Sequence, residues 1–196
     1  MNLAGDALAL QAAAFATRWR HVQSDYLQDN GLIGTRNVGN GDNFGVEGQM
    51  HLALADGVST ELGVVLQRAR LENPPTPAAS EDARLPVVPN VRLHALLARD
   101  FTIGGWQARL QARADYTGSS RLSFDAQLDR NTPAFFMLGA GASLAHGPWG
   151  LQLTATNLLD SRADTFAFGN PFSIRDGPQR TPQRPRTVTL QLTRDW

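Results

Sequence analysis

The chain has 196 residues, 18 basic and 18 acidic side chains, and no cysteine. Zero formal net charge provides no field to recruit nucleic acid, and the lack of thiols excludes disulfides, thiolate metal sites and cysteine nucleophiles. No run of about 18 apolar residues exists, so no transmembrane helix is expected.

In chain order, the first predicted element covers about residues 6–22. It is the least regular, and helix stays open beside strand. Its "LALQAAAFA" core (8–16) is long enough for a signal-peptide core, but no basic residue precedes it, so it reads as part of the mature fold. A polar, Gly- and Asn-rich link is expected at about 24–43.

The next strand runs from Val46 to Leu54, with Val46, Gly48, Met50, Leu52 and Leu54 opposite Glu47, Gln49 and His51. Ala55-Asp56-Gly57 is a tight turn into a strand over Glu61–Gln67. A Pro-rich link at about 73–86 precedes a strand from Val91 to Phe101, in which Arg92, His94 and Asp100 form the polar face. After the Gly104-Gly105 turn comes the clearest strand. There Trp106, Ala108, Leu110, Ala112, Ala114 and Tyr116 alternate without error with Gln107, Arg109, Gln111, Arg113 and Asp115. A link at about 118–132 leads to a strand over Ala134–Leu144, a turn at 146–148 and a strand over Trp149–Ala155. The last long link spans about 159–185, and the chain ends in the alternating stretch "TVTLQLTRDW".

That makes about eight strands in a single segment, 1–196. Short and long connections alternate strictly, so a meander places all tight turns at one end and all long loops at the other. Outer-membrane barrels sort their connections in this way, with short periplasmic turns and longer extracellular loops. Phe101, Trp106, Trp149 and Trp196 fall at the short-turn end, and Trp19, Tyr26 and Tyr116 toward the other, as two interfacial girdles would. The expected fold is therefore all-β, an antiparallel up-and-down transmembrane β-barrel. A soluble β-barrel or sandwich binding a small apolar ligand is the alternative from another class.

No catalytic motif is present: there is no Gly-x-Ser-x-Gly elbow, P-loop or His-Glu-x-x-His, and no enzyme activity or cofactor is expected. His21, His51, His94 and His146 lie on separate elements without ligand spacing, and Asp42, Asn43 and Glu47 lack the pattern of a calcium loop. On the polar face, Arg92, Arg109 and Arg113 are the candidates to point into a lumen. Tyr26, Phe166, Phe168 and Asn170 are candidate ligand contacts by position only.

Three stretches carry a family resemblance: "RWRHVQSDYLQDNGLIGTRNVGNGDNFGVEGQ" (18–49), "LPVVPNVRLHALLARDF" (85–101), and "TATNLLDSRADTFAFGNP" (154–171) followed by "RPRTVTLQLTRDW". The most specific pairing is Asn157, Leu158 and Asp160 before the last loop with Pro185 and Arg186 after it. Together they resemble the C-terminal part of a TonB-dependent outer-membrane receptor. Arg194 departs from the pattern, since the family's last strand usually carries an apolar outward residue there.

The resemblance implies a bacterial outer-membrane location and a larger barrel of which this is a C-terminal portion, without the plug domain. It implies uptake of a scarce ligand of the siderophore-iron, cobalamin or glycan class. The implied partners are outer-membrane lipid, the barrel-assembly machinery, the plug and missing strands, and through them TonB. It further implies that Val188, Leu190, Leu192 and Trp196 form the assembly signal. A self-standing eight-stranded barrel for adhesion or envelope structure is the alternative, distinguished by pairing of the first strand with the last.

Overall fold

A computed structural model describes residues 7–72, 83–125, 127–164 and 181–195. Eight strands form one antiparallel sheet in which each pairs with its neighbour in the chain. They are β1 (Leu8–Leu27), β2 (Ile33–Ala53), β3 (Val58–Leu71), β4 (Val91–Ile103), β5 (Trp106–Thr117), β8 (Phe135–His146), β9 (Trp149–Thr156) and β10 (Thr187–Arg194). Two short strands, β6 (Ser120–Arg121) and β7 (Asn131–Thr132), pair separately. β1 and β10 stand at opposite edges and do not pair, so the sheet is open. This is the wall of a partial barrel.

The register explains why one face is largely apolar, with Arg99 between Val58 and Leu110 among its exceptions. Directly opposed residues share a face, so one row runs Leu10, Met50, Leu62, Ala95, Ala114, Leu138 across six strands. Another runs Phe101, Ala108, Leu144, Leu151, Leu192. The alternate rows are polar: Asp100, Arg109, Ser143, Gln152, Gln191 lie side by side on the other face.

Among the described residues nothing packs on the apolar face. Leu62, Leu97, Leu110, Leu153, Val188, Leu190 and Leu192 are all exposed, the last three at 64–68%. A continuous apolar surface of this kind needs a non-aqueous solvent. From Phe44 on β2 to Leu54 just past its end it extends about 34 Å along the chain, or about 24 Å of height at a tilt of about 45°. That height is close to the apolar band of an outer-membrane barrel. Above it the outward positions turn charged, with Arg18 paired to Asp42 at 3.0 Å and to Glu72 at 2.8 Å.

The short-turn end is tight because the backbone there takes positive φ. Gly104 and Gly105 sit at φ 55° and 81°, the pair of left-handed residues a two-residue hairpin needs. At Gly57 (φ 73°) a Cβ would run into the carbonyl oxygen of Asp100, so no side chain fits.

At the long-loop end the chain builds a small core of its own. Val38, Ala69, Leu71, Leu85 and Phe124 are buried together, with Val22 and Val88 against them. This brings together β1, β2 and β3, the 83–90 segment and the 118–132 link.

Of the two readings open for the first element, strand holds, over Leu8–Leu27. One expectation is corrected. The link placed at 24–43 is mostly ribbon: β1 and β2 stay paired to Leu27 and Ile33, and only residues 28–32 turn. Beyond the apolar rows neither face of the ribbon has to be apolar, so backbone pairing holds it without apolar alternation. An irregularity at Arg20-His21, with His21 at φ 58°, also breaks the phase that sequence periodicity relies on.

Candidate functional site

The polar face of the sheet is the first candidate, because a barrel turns that face to its lumen. Arg109 on β5 opposes Asp100 on β4, and one guanidinium nitrogen contacts both carboxylate oxygens at 2.8 and 3.1 Å. Arg113 holds Asp115, two residues on along the same face, through Nε at 2.7 Å. Asp115 also meets Nδ1 of His94 at 2.9 Å, its cross-strand partner. Gln49 donates to Glu61 at 2.9 Å. Strand alternation places all these groups on one side.

Arg92 shares that face and lines a cleft of about 590 Å³ with Glu47, Glu61, His94 and Asp115. It has no carboxylate partner among the described residues. The three predicted lumen arginines thus lie on one face, two of them in ion pairs. Among the described residues no group of three His, Asp or Glu side chains is placed to hold a metal ion. The face is suited to contacting a polar partner or solvated ligand.

The second candidate is the loop assembly. A cleft of about 580 Å³ lies between Trp19, His21, Gln23 and Asp25 on β1 and Val87, Leu122 and Phe124 from the two links. Its floor is unusually well satisfied. Buried Arg121 donates to Asp129 at 2.7 Å and to the carbonyl of Ser123 at 3.0 Å, with its guanidinium 5.6 Å from the Phe124 ring centre. Buried Asp125 accepts from the backbone N–H of Leu27, Gln127 and Leu128. At the rim, hydrogen bonding to Asp42, and then the charge of Glu72, raise the Arg18 pKa above its ordinary value.

Sequence reasoning missed this floor, since "SRLSFDAQLDR" (120–130) shows no period and its partners are nearly a hundred residues away. Tyr26 lies at this end, with the Arg36 guanidinium 4.8 Å from its ring centre. Phe166, Phe168, Asn170 and Trp196 lie outside the described residues.

The residues around the last long loop form a latch. Asn157 is 2% exposed and sits at φ 49°. Its side-chain amide donates to the carbonyls of Ser161 and Arg184 at 3.0 and 2.8 Å, and its Oδ1 accepts from the Ser161 N–H at 2.8 Å. Asp160 accepts from the Arg186 N–H at 3.3 Å, and the Leu158 N–H donates to the Leu138 carbonyl. Pro185, which has no N–H to satisfy, spans the gap between the two tied residues. The cluster therefore fastens the exit of one strand to the entry of the next.

The family described as TonB dependent receptor-like, beta-barrel, matches residues 1–158. The chain belongs to that family. No curated protein matches it in sequence. Among solved structures it is similar to the ferric yersiniabactin uptake receptor FyuA from Yersinia pestis, at 21% identity and a TM-score of 0.79, over 100% of this chain and 28% of that one. It is similar to the ferric-catecholate import receptor Fiu from Escherichia coli K12, at 20% identity and a TM-score of 0.74, over 98% and 26%. The copper transporter OprC matches at 14% identity and a TM-score of 0.70, over 100% and 30%. The chain thus spans between a quarter and a third of these proteins. Its TonB-dependent receptor fold, an outer-membrane β-barrel fold, agrees with a sheet that has one largely apolar face and one polar face. The family is one of receptors and transporters rather than enzymes.

Proposed function

We propose that this chain supplies barrel wall and extracellular loops to a TonB-dependent receptor that takes up a scarce ligand, and that it does not transport alone. The observation that carries this reading is the open eight-stranded sheet with one fully exposed apolar face and one ion-paired polar face. Energised uptake needs a closed wall around a plug that TonB can move, and these strands by themselves leave two edges unpaired.

The siderophore-iron class is favoured, because ferric-catecholate and ferric-yersiniabactin receptors are among the similar structures. Tight turns then face the periplasm and the loop assembly faces outside. Val188, Leu190 and Leu192, in phase with Trp196, serve as the signal for the assembly machinery. The open edges disfavour a self-standing barrel.

The test is expression of this chain in cells lacking their own ferric-siderophore receptors. The chain is expected in the outer-membrane fraction with no TonB-dependent uptake of labelled ferric siderophore. Uptake above the empty-vector level by this chain alone would sink the proposal.

A further inference from the structure

Two cations on the outward face have no counter-charge, and their position gives them a role. Arg68 opposes Phe44 and Arg70 opposes Asp42 across the β2–β3 register. Both therefore lie on the apolar side of the sheet, near the long-loop end of β3, and both are exposed. Arg18 engages the two carboxylates of this margin, Asp42 at 3.0 Å and Glu72 at 2.8 Å. Arg68 and Arg70 have no carboxylate partner among the described residues. On its other side Arg70 faces Arg84 across an isolated bridge, a cation again.

Directly below the pair the surface changes character. Phe44, Val46 and Leu66 are exposed, and Val46 opposes Leu66 one step down the same face. Strand geometry sets the Cα atoms of Arg68 and Arg70 about 7 Å apart. This margin thus presents two neighbouring cations over open apolar side chains.

We propose that Arg68 and Arg70 form the headgroup site for one anionic lipid, its phosphate accepting from the two guanidinium groups and an acyl chain lying against Phe44, Val46 and Leu66. The inference rests on the barrel-wall reading. The planar guanidinium fork matches phosphate oxygens. Two unopposed charges favour a headgroup of net negative charge over a zwitterionic one. A free anion would satisfy the cations and leave the apolar side chains beneath them uncovered, whereas an amphiphile meets both needs.

The test uses the purified chain in micelles doped with equal amounts of phosphatidylglycerol and phosphatidylcholine, with retained lipid read by native mass spectrometry. At about fivefold per cation, wild type is expected to retain phosphatidylglycerol about 25-fold over phosphatidylcholine. Arg68→Gln and Arg70→Gln each reduce the preference to about fivefold, and the two together abolish it. Lysine at both positions keeps part of it, and Arg109→Gln on the other face leaves it intact. Glycerol phosphate in excess, a headgroup without chains, does not displace the lipid. Equal retention of both lipids by folded wild type, an unchanged preference in the double glutamine variant, or displacement by glycerol phosphate overturns the lipid site and leaves the wall reading standing. A chain that is folded and monomeric in water without detergent overturns the wall reading itself, and the lipid site with it.

Discussion

At the long-loop end Val38, Leu71, Leu85 and Phe124 bury one another, whereas at the short-turn end Ile103, Trp106 and Trp149 lie open on the outward face. The polar groups divide in the same way. Arg121, Asp125 and Asn157 are buried and fully engaged near the loops, while Arg109 and Asp100 pair in the open on the wall. The contrast teaches that one chain is folding in two solvents. The wall leaves its apolar side chains uncovered by the described residues, so it needs only alternation and backbone pairing. The loops stand in water and must collect a core and satisfy its polar atoms as a small soluble protein does.

Three tests break or sharpen that contrast, in descending order of effect. Phe124→Ala removes the largest side chain of the loop core and is expected to cost about 3–4 kcal/mol locally. Hydrogen exchange should accelerate at Val87, whose N–H donates to Arg121, and at Leu27, while the mid-wall amides keep their protection. Equal acceleration in both regions would show that the two do not fold as separate units.

On the wall, Leu110→Arg places a charge in the lipid band and is expected to cost about 2–3 kcal/mol in vesicle-supported denaturant unfolding. Gln111→Arg, one residue on and facing the lumen, is expected within about 0.5 kcal/mol of wild type on the same measure. A reversed order would invert the face assignment. Smallest of the three is Arg109→Ala. Its ion pair with Asp100 is exposed on both sides, so its loss should change stability by about 0.5 kcal/mol or less, with no sensitivity to added salt beyond that.

Legibility in the sequence follows the same division. Trp106–Tyr116 was readable residue by residue, because a wall strand between lipid and lumen must alternate and nothing else acts on it. The β1–β2 ribbon above the band was read as loop, because two wet faces remove the constraint that produces a period. Phe124 and Asp125 carried no local signal at all, since their partners Leu85 and Leu27 lie far off in the chain. The Asn157 motif was visible as a resemblance, but its reason, two carbonyls 23 residues apart held by one amide, is a fact of three dimensions.

That amide has a consequence for how such a protein can change. Asn157 binds the chain where it leaves β9 and again just before it re-enters at β10, so the two feet of the loop are tied to each other at the wall. Lengthening a loop whose feet are already joined is thermodynamically mild, about 0.6 kcal/mol for each doubling. Insertion, deletion or wholesale exchange between Asp164 and Thr181 is therefore expected to leave β9 and β10 in register. Asn157 works as a splice collar: evolution, or an engineer, can swap what lies beyond it without rebuilding the barrel below.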